Sequence, residues 1–239
     1  SVSSTDDSVY NNSIVNGSGV NISCPNLVGY WNLDSNYDDS SSNGNDGTAT
    51  GTNNATGLSS DAIRFDGVDD VIDVSSSSMG NILGVSFWFY NNNEIVPGYN
   101  ADDSQMMCFY YTTSVGGYAC LGSFEDGALF SNELLVLRLP VGSDAVAWDE
   151  AGASIPVGWH HLAVTLNETS DIYNIYLDNE RKDNAIYSTP AGNYLSTRVT
   201  SIGANIFSGS SKAEFDGVMD EVLVYNKSLS SSEITELYK

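Results

Sequence analysis

Apolar and polar residues alternate along much of this chain, and a period of two residues predicts β-strands. Val85, Phe87 and Phe89 fall on one face of a predicted strand, and Trp88 and Tyr90 fall on the opposite face. Because large apolar side chains occupy both faces, we expect a central strand that is covered on both sides.

The same alternation predicts a hairpin and a sandwich. Residues 160–166 alternate, the polar residues 167–171 follow, and a second strand-like run covers 172–177. Clusters of Gly, Asn, Asp and Ser separate further runs at the spacing of an antiparallel sandwich. The pattern predicts an all-β fold in which two antiparallel sheets pack face to face.

One helix is predicted, at the C-terminal end. Ser230 can cap its first turn, Glu233 can reach back to Ser230, and Leu229 and Ile234 have the spacing of a hydrophobic staple. We expect this short helix to cover the sandwich.

Length and charge narrow the choice of partner. The chain has 239 residues, 41% of them hydrophobic, which fits one large β domain better than two small ones. The chain carries 8 Lys+Arg against 31 Asp+Glu, a formal net charge of −23. A protein with this excess of negative charge repels polyanions, so we expect no nucleic-acid binding. The same acidity fits either a highly soluble surface or a set of cation sites.

Residues 1–26 differ in composition from residues 27–239. This N-terminal extension is rich in Ser, Asn, Asp and Gly and has only short apolar patches. Two interpretations stay open: the extension adds a strand to the edge of its own domain, or it donates a strand to a neighbouring copy.

Several motifs occur in a characteristic order. They are Leu-Val-Gly-Tyr-Trp-Asn-Leu-Asp at 27–34, Ser-Asn-Gly-Asn-Asp-Gly-Thr at 42–48, Phe-Asp-Gly-Val-Asp-Asp at 65–70, Gly-Trp-His-His-Leu-Ala-Val at 158–164, Phe-Asp-Gly-Val-Met-Asp-Glu at 215–221 and Asp-Glu-Val-Leu-Val-Tyr-Asn at 220–226. Together they resemble the laminin-G-like jelly rolls of the concanavalin A-like lectin and glucanase group, over roughly residues 27–239. The resemblance implies a jelly-roll sandwich with a C-terminal helix.

The resemblance also implies a structural Ca²⁺ at one edge of the sandwich. Carried over position by position, the implied ligands are Asp39, Asn43, Asn45, Asp66 and Asp220, with Asp38, Asp69 and Asp70 in reserve. Relatives usually show Ser-Gly-Asn-Gly-Asn where this chain has Ser-Ser-Asn-Gly-Asn at 41–45. From the local sequence alone, the Asn- and Asp-rich loop reads equally as an ordinary turn.

The cysteines and sequons indicate an extracellular or cell-surface protein. Cys108 and Cys120 flank a Gly-Gly turn, so a disulfide across a hairpin is favoured over two buried thiols, and Cys24 is left over. Six Asn-x-Ser/Thr sequons predict N-glycosylation; they begin at Asn11, Asn16, Asn21, Asn54, Asn167 and Asn226. The chain starts without Met or a basic, apolar leader, which predicts a processed form, and it has no apolar run long enough to span a membrane.

No catalytic motif is present. His160 and His161 are neighbours on a predicted strand and point to opposite faces, so they cannot share one metal ion. The paired-glutamate pattern Glu-x-Asp-x-Glu of retaining glycosidases is incomplete, because Val218 and Met219 follow Glu214-Phe215-Asp216-Gly217. We therefore expect no enzyme activity; a polysaccharide-active enzyme is the last alternative.

Aromatic residues support carbohydrate binding. The chain has 14 Tyr and 4 Trp, whose flat faces can stack on sugar rings. Tyr99, Tyr110, Tyr111 and Tyr118 lie in or near predicted loops. We expect a lectin-like or adhesive module that contacts a glycan or a surface protein. The alternative is a structural subunit of a filament or layer that assembles by strand exchange through residues 1–26.

Overall fold

The structure is a computed structural model of the chain. It describes residues 13–15, 21–23, 26–41, 43–74, 79–95, 104–111, 117–123, 133–139, 143–149, 153–167, 172–182, 185–186, 199–204 and 214–239.

The described residues form strands and one short helix. In chain order these elements are β1 (Ser13–Val15), β2 (Asn21–Ser23), β3 (Leu27–Trp31), β4 (Thr48–Thr50), β5 (Asn53–Thr56), β6 (Asp61–Asp66), β7 (Val71–Asp73), β8 (Gly84–Asn91), β9 (Ser104–Tyr111), β10 (Gly117–Ser123), β11 (Glu133–Leu139), β12 (Ser143–Asp149), β13 (Gly158–Asn167), β14 (Ile172–Leu177), β15 (Glu180–Arg181), β16 (Ala185–Ile186), β17 (Val199–Ile202), β18 (Asp216–Tyr225) and α1 (Ser231–Leu237).

Most strands belong to two large antiparallel sheets. The first sheet has the order β16-β12-β11-β10-β9-β17-β7-β4, and the second has the order β15-β14-β13-β8-β18-β6-β5, with β3 also paired to β18. Strands far apart in sequence, such as β8 and β18, are neighbours, as in a jelly roll. The predicted two-sheet antiparallel sandwich with one C-terminal helix is confirmed.

A large apolar core lies between the sheets. Phe87 and Phe89 of β8 are fully buried, with ring centroids 6.3 Å apart, and Phe109 of β9 belongs to the same cluster. A smaller cluster on the outer face of the second sheet includes Leu223 and Ile234 of the helix. The second sheet is thus packed on both faces where the helix lies.

The prediction that β8 is covered on both faces holds for only part of the strand. Ser86 is 1% exposed, but Trp88 and Tyr90 on the same outer face are partly exposed. The reason is that α1 is only seven residues long and covers only part of this face. The coverage ends at Tyr238, whose ring stacks on Trp88 with ring centroids 5.5 Å apart and planes 14° apart. Tyr90, two residues further along β8, lies beyond this stacked pair.

The helix begins as the sequence predicts. The Ser230 side chain accepts a hydrogen bond from the Glu233 backbone N–H, and the Glu233 carboxylate accepts from the Ser230 backbone N–H, which forms a capping box. Leu229 and Ile234 are both buried in the same cluster. The cap satisfies backbone donors at the first turn and fixes where the chain leaves the sheet.

The predicted hairpin disulfide is also present. Strands β9 and β10 pair antiparallel with Cys108 opposite Cys120, and the two residues form a disulfide. Cys24 lies outside the described residues. In the N-terminal extension, β1 and β2 pair with each other in a separate two-stranded sheet.

Gly203 gives a test of the packing between the sheets. Its φ is +88°, and a Cβ there would lie 2.1 Å from Cε1 of the buried Phe65. We expect Gly203→Ala to lower the free energy of unfolding by about 3 kcal/mol, because it adds backbone strain to overpacking. Urea unfolding followed by fluorescence measures this change.

Gly44 provides the matched control for Gly203. Its φ is +72°, but a Cβ there meets nothing within 4 Å. Gly44→Ala should cost about 1 kcal/mol, from backbone strain alone. Equal losses in the two variants would contradict the packing described around Phe65.

Candidate functional site

The loop after β3 is built around the buried carboxylate of Asp39. Its Oδ1 accepts hydrogen bonds from the backbone N–H groups of Tyr30 and Ser41, both at 2.9 Å. Its Oδ2 accepts from the backbone N–H and the side-chain amide of Asn45, both at 3.0 Å. Four donors therefore surround the carboxylate, and its lone pairs are used to hold the loop together. This environment does not fit a cation ligand.

The two asparagines of this loop also make structural hydrogen bonds. The Asn45 amide donates to the Val28 carbonyl at 3.1 Å, and the Asn45 carbonyl accepts from the Trp31 indole at 3.0 Å. The exposed Asn43 donates to the Ser41 hydroxyl at 2.9 Å. These contacts anchor the loop to β3. Asp38 is exposed beside them.

The turn between β6 and β7 brings three carboxylates together. One carboxylate oxygen from each of Asp66, Asp69 and Asp70 lies within 4.8 Å of the others. Asp70 is buried and accepts a hydrogen bond from the Asp66 backbone N–H at 2.8 Å, while Asp66 accepts from the Val68 N–H at 2.9 Å. Burial, and then the neighbouring charges of Asp66 and Asp69, raises the pKa of Asp70 despite its backbone hydrogen bond. We call these three residues the acidic turn.

Asp220 lies apart from the acidic turn. It is 3% exposed, and its Oδ2 accepts a hydrogen bond from the Leu58 N–H at 3.0 Å. On β18 the residue opposite Asp66 is Asp216, and Asp220 is four positions further along, roughly 13 Å away. The five ligands implied by the resemblance therefore do not form one cluster: Asp66 and Asp220 lie apart on paired strands, and Asp66 is grouped with Asp69 and Asp70 and not with Asp39 or Asp220.

His160 forms a partly buried ion pair with Asp178. Its Nδ1 lies 2.8 Å from Asp178 Oδ2, and its Nε2 lies 2.9 Å from the Pro156 carbonyl oxygen. Both partners only accept, so both ring nitrogens carry hydrogens and the imidazolium is favoured. Burial alone would lower the pKa of His160, but the hydrogen bonds to Asp178 and Pro156 outweigh it, and the pKa is raised.

His161 has the opposite environment on the opposite face of the sheet. Its Nε2 lies 2.7 Å from the Ser86 hydroxyl, and its ring packs against Trp88 and Tyr238. Burial lowers its pKa to about 4. Asp178 bonds the backbone N–H of His161 at 2.9 Å, not its ring. The Ser86–His161 pair is thus a buried packing element with no carboxylate on the ring.

A row of side chains crosses the outer face of the second sheet; Val218 within it is 8% exposed, and the other members are partly exposed. In register across four adjacent strands lie Trp159 of β13, Tyr90 of β8, Val218 of β18 and Arg64 of β6. Arg64 donates to Asp216 Oδ1 at 2.7 Å, and these side chains are 32% and 40% exposed. We call these five residues the outer-face platform. No sequence motif predicts this platform, because residues 64, 90, 159 and 218 are far apart in the chain and meet only through strand register.

The sequence-predicted aromatics and sequons are only partly described. Tyr99 lies outside the described residues, as do the side chains of Tyr110, Tyr111 and Tyr118. Asn54, Asn167 and Asn226 are exposed. Asn11 and Asn16 lie outside the described residues, and for Asn21 only the backbone, in β2, is described.

A laminin-G-like family model, described as the Concanavalin A-like lectin/glucanases superfamily, matches residues 66–235, more than two thirds of the chain. The chain belongs to this superfamily. No curated protein sequence matches it. The part of the chain that the structure describes holds no helix long and apolar enough to cross a membrane.

Solved structures with this superfamily fold come from proteins of different kinds. Domain 4 of AbnA, a GH43 extracellular arabinanase from Geobacillus stearothermophilus, solved with arabinotriose, is 20% identical with a TM-score of 0.63; the match covers 90% of this chain and 98% of that domain. The binding domain of Paraclostridial Mosquitocidal Protein 1 is 16% identical with a TM-score of 0.58, over 89% of this chain and 52% of that one.

The third comparison is with an enzyme. Trypanosoma rangeli sialidase, solved with sialic acid, is 17% identical with a TM-score of 0.58; the match covers 97% of this chain but only 36% of the sialidase chain. This chain thus spans about half of the mosquitocidal protein chain and about a third of the sialidase chain. At these identities the likeness shows the fold.

The raised pKa of His160 predicts a stability change above pH 6.5. Below its unfolded-state pKa of 6.5 the imidazolium pair contributes fully, and the contribution is lost as pH rises through the raised folded pKa. His161 also has an unfolded-state pKa of 6.5 and a folded pKa of about 4, so it adds stability until the unfolded ring is neutral, about one pH unit above 6.5, and adds no slope beyond that. We expect the free energy of unfolding of wild type to fall above about pH 7.5, relative to that of His160→Gln, as measured by urea unfolding.

His160→Gln is the control variant for this slope. It keeps a side chain of similar reach but has no titrating ring, so the decline assigned to His160 should disappear. His161→Gln should keep the decline, although its overall stability is lower. Identical pH profiles for wild type and His160→Gln would contradict the ion pair.

Proposed function

We propose that this chain is a non-catalytic, extracellular module that binds glycans, with a lectin-like or adhesive role. The observation that carries the proposal is a contrast within the described residues. Buried polar groups such as Asp39, His160 and His161 are engaged in holding the fold, whereas Tyr90 and Trp159 stay partly exposed beside hydrogen-bonding side chains. Aromatic faces next to polar groups are what sugar rings require.

The structural likeness gives this proposal further support. The match to domain 4 of the arabinanase extends over nearly the whole of that domain, which was solved with arabinotriose. That domain is one part of a larger enzyme, so its fold is compatible with binding a sugar apart from a catalytic centre. For this chain we therefore propose a carbohydrate ligand, without proposing that the sugar is arabinotriose.

The described geometry supports an enzyme role less well than it supports glycan binding. Ser86 and His161 form a close pair, but they are 1% and 0% exposed beneath Trp88 and Tyr238. Glu214, which begins the incomplete glycosidase pattern, is buried as well. A substrate bond needs a reachable nucleophile or acid, and neither of these places offers one.

A structural subunit is the second candidate. Strands β1 and β2 pair with each other in a sheet of their own, apart from the two main sheets, while Asn26 meets the end of β18, where its carbonyl accepts a hydrogen bond from the Asn226 N–H at 2.9 Å. This separate two-stranded sheet supports a second proposal, in which residues 1–26 exchange strands with a neighbouring copy to build a filament or layer.

We further propose that Ca²⁺ stabilises the sandwich through the acidic turn. Asp66, Asp69 and Asp70 supply three carboxylate oxygens within 4.8 Å of one another, which fits a hard cation that prefers oxygen ligands. The Asp39 carboxylate does not fit, because its oxygens already accept four hydrogen bonds. Bound Ca²⁺ would offset the repulsion among the three carboxylates.

The function proposal predicts glycan binding without turnover. On an array of oligosaccharides the intact chain should retain at least one ligand, and chromatography of that ligand after long incubation should show it unchanged. A chain that binds no glycan but elongates into polymers would favour the structural subunit. Hydrolysis that is lost on replacing one Glu would favour the enzyme.

The Ca²⁺ proposal predicts a melting temperature that EDTA lowers. With Ca²⁺ at about 100 times its dissociation constant, the stabilisation is about 2.7 kcal/mol. Asp69→Asn, at an exposed position of the acidic turn, should remove the difference between Ca²⁺-loaded and chelated samples. Asp39→Asn should destabilise both samples and leave the difference intact. A difference that Asp39→Asn removes and Asp69→Asn keeps would contradict the assignment.

A further inference from the structure

We infer that the outer-face platform is a binding site for a short neutral glycan, with Trp159 and Tyr90 as the stacking surface and Arg64 and Asp216 as the hydrogen-bonding groups. This inference rests on the proposed function and names the ligand class and the residues. It places the ligand on the outer face of the second sheet, apart from the predicted loops that contain Tyr99, Tyr110, Tyr111 and Tyr118.

Strand register gives the platform its shape. Trp159 lies opposite Tyr90, Tyr90 opposite Val218, and Val218 opposite Arg64. Because directly opposite residues share a face, these four side chains form one straight row. Three strand spacings make it about 14 Å long.

The aromatic part of the row is partly exposed, whereas Val218 beside it is 8% exposed. The rings of Tyr90 and Trp159 are 5.8 Å apart at 73°, an edge-to-face contact that fixes both rings, and both residues are partly exposed. One row away, Tyr238 stacks on Trp88, which is itself partly exposed. Among the described residues the helix packs on the other half of this face, so the aromatic pair keeps a partly exposed surface for a ligand.

The polar part of the platform is held in place before any ligand arrives. Arg64 donates from Nη2 to Asp216 Oδ1 at 2.7 Å and from Nη1 to the Gly217 carbonyl at 3.2 Å. Asn92 also donates to Asp216 Oδ1 at 2.7 Å, and Asn93 makes a longer contact of 3.5 Å to Oδ2. Because these groups are fixed by one another and still partly exposed, binding hydroxyl groups orders few additional side chains.

The size of the platform favours a small ligand over a protein. A row about 14 Å long and two side chains, about 7 Å, wide offers roughly 100 Å² of surface. A stable protein–protein interface buries about 800 Å² on each partner. A few sugar rings laid along the row match the platform, and a protein would need surface beyond it.

The charge of the platform favours a neutral ligand. Arg64 is its single cation; Asp216 is paired with it, and Asp66 lies directly opposite Asp216 across the strand pair. The chain as a whole carries a formal charge of −23. An acidic sugar would therefore meet net repulsion, whereas hydroxyl groups can donate to Asp216 and accept from the Asn92 amide or the Arg64 guanidinium.

The test measures binding of the intact chain to an array of neutral and sialylated oligosaccharides that includes arabinotriose, followed by calorimetry with the strongest binder. Trp159→Ala and Tyr90→Ala should each weaken binding about tenfold or more, the loss expected when an aromatic stacking partner is removed. Tyr238→Ala is the matched control: it removes a 37% exposed aromatic on the same face but outside the platform, and it should bind like wild type.

Circular dichroism checks that each variant folds, and Arg64→Ala provides a second test if an aromatic variant does not. The Arg64 side chain is 32% exposed, so its removal should leave the fold intact and still weaken glycan binding. If wild type binds glycans and all folded platform variants bind equally well, the inference fails while the proposed function stands. Preference for sialylated over neutral sugars also overturns the inference. If wild type binds no sugar, the proposed function itself fails.

Discussion

The constraint on which the rest of this structure depends is the register of the four central strands of the second sheet. An inward-facing row, His160, Phe89, Met219 and Ile63, runs across β13, β8, β18 and β6 and is buried against the first sheet. A slip of one residue in any strand would turn its apolar set outward. Because side chains alternate, the next row, which contains Tyr90 and Arg64, must face outward. The core thus fixes the platform without contacting it.

A bulge in β18 divides the outer face of the second sheet into two halves with different surroundings. The pairing of β18 with β8 shifts between Asp220 and Leu223, and Glu221 between them has φ +52° and accepts a hydrogen bond from the Tyr30 hydroxyl. Beyond the bulge, Leu223 and Tyr225 pack with the C-terminal helix. Before the bulge, Tyr90 and Arg64 stay partly exposed on either side of Val218, which is 8% exposed. Among the described residues, the helix therefore packs on one half of the sheet, and side chains of the other half remain partly exposed.

Local patterns in the sequence were sufficient to predict much of the fold. The alternation in β8 and β13, the capping box of Ser230 and Glu233 and the pairing of Cys108 with Cys120 each depend on residues close in sequence, and each is confirmed. The motifs also predicted the superfamily, which the family match supports.

The candidate site was harder to predict, because it depends on long-range register and on hydrogen bonds. Asp39 has the residue type of a cation ligand, but only the folded loop shows that four N–H donors occupy its oxygens. Asp66 and Asp220 belong to similar motifs, yet register pairs Asp66 with Asp216. Tyr90 and Arg64 are far apart in sequence and meet only through β18. A sequence pattern shows which residue types are present, but the hydrogen bonds of Asp39 and the cross-strand neighbours of Asp66 and Tyr90 depend on the folded backbone.

The most direct test of a sugar-binding outer face is a protein-observed NMR titration with a neutral oligosaccharide that the chain binds. The account predicts that the largest shifts fall on the Trp159 indole N–H and on backbone amides of β8, β13 and β18 near Tyr90 and Val218, while amides of β9 and β17 in the first sheet stay unchanged. Shifts concentrated in the first sheet, with the Trp159 indole unmoved, would contradict it.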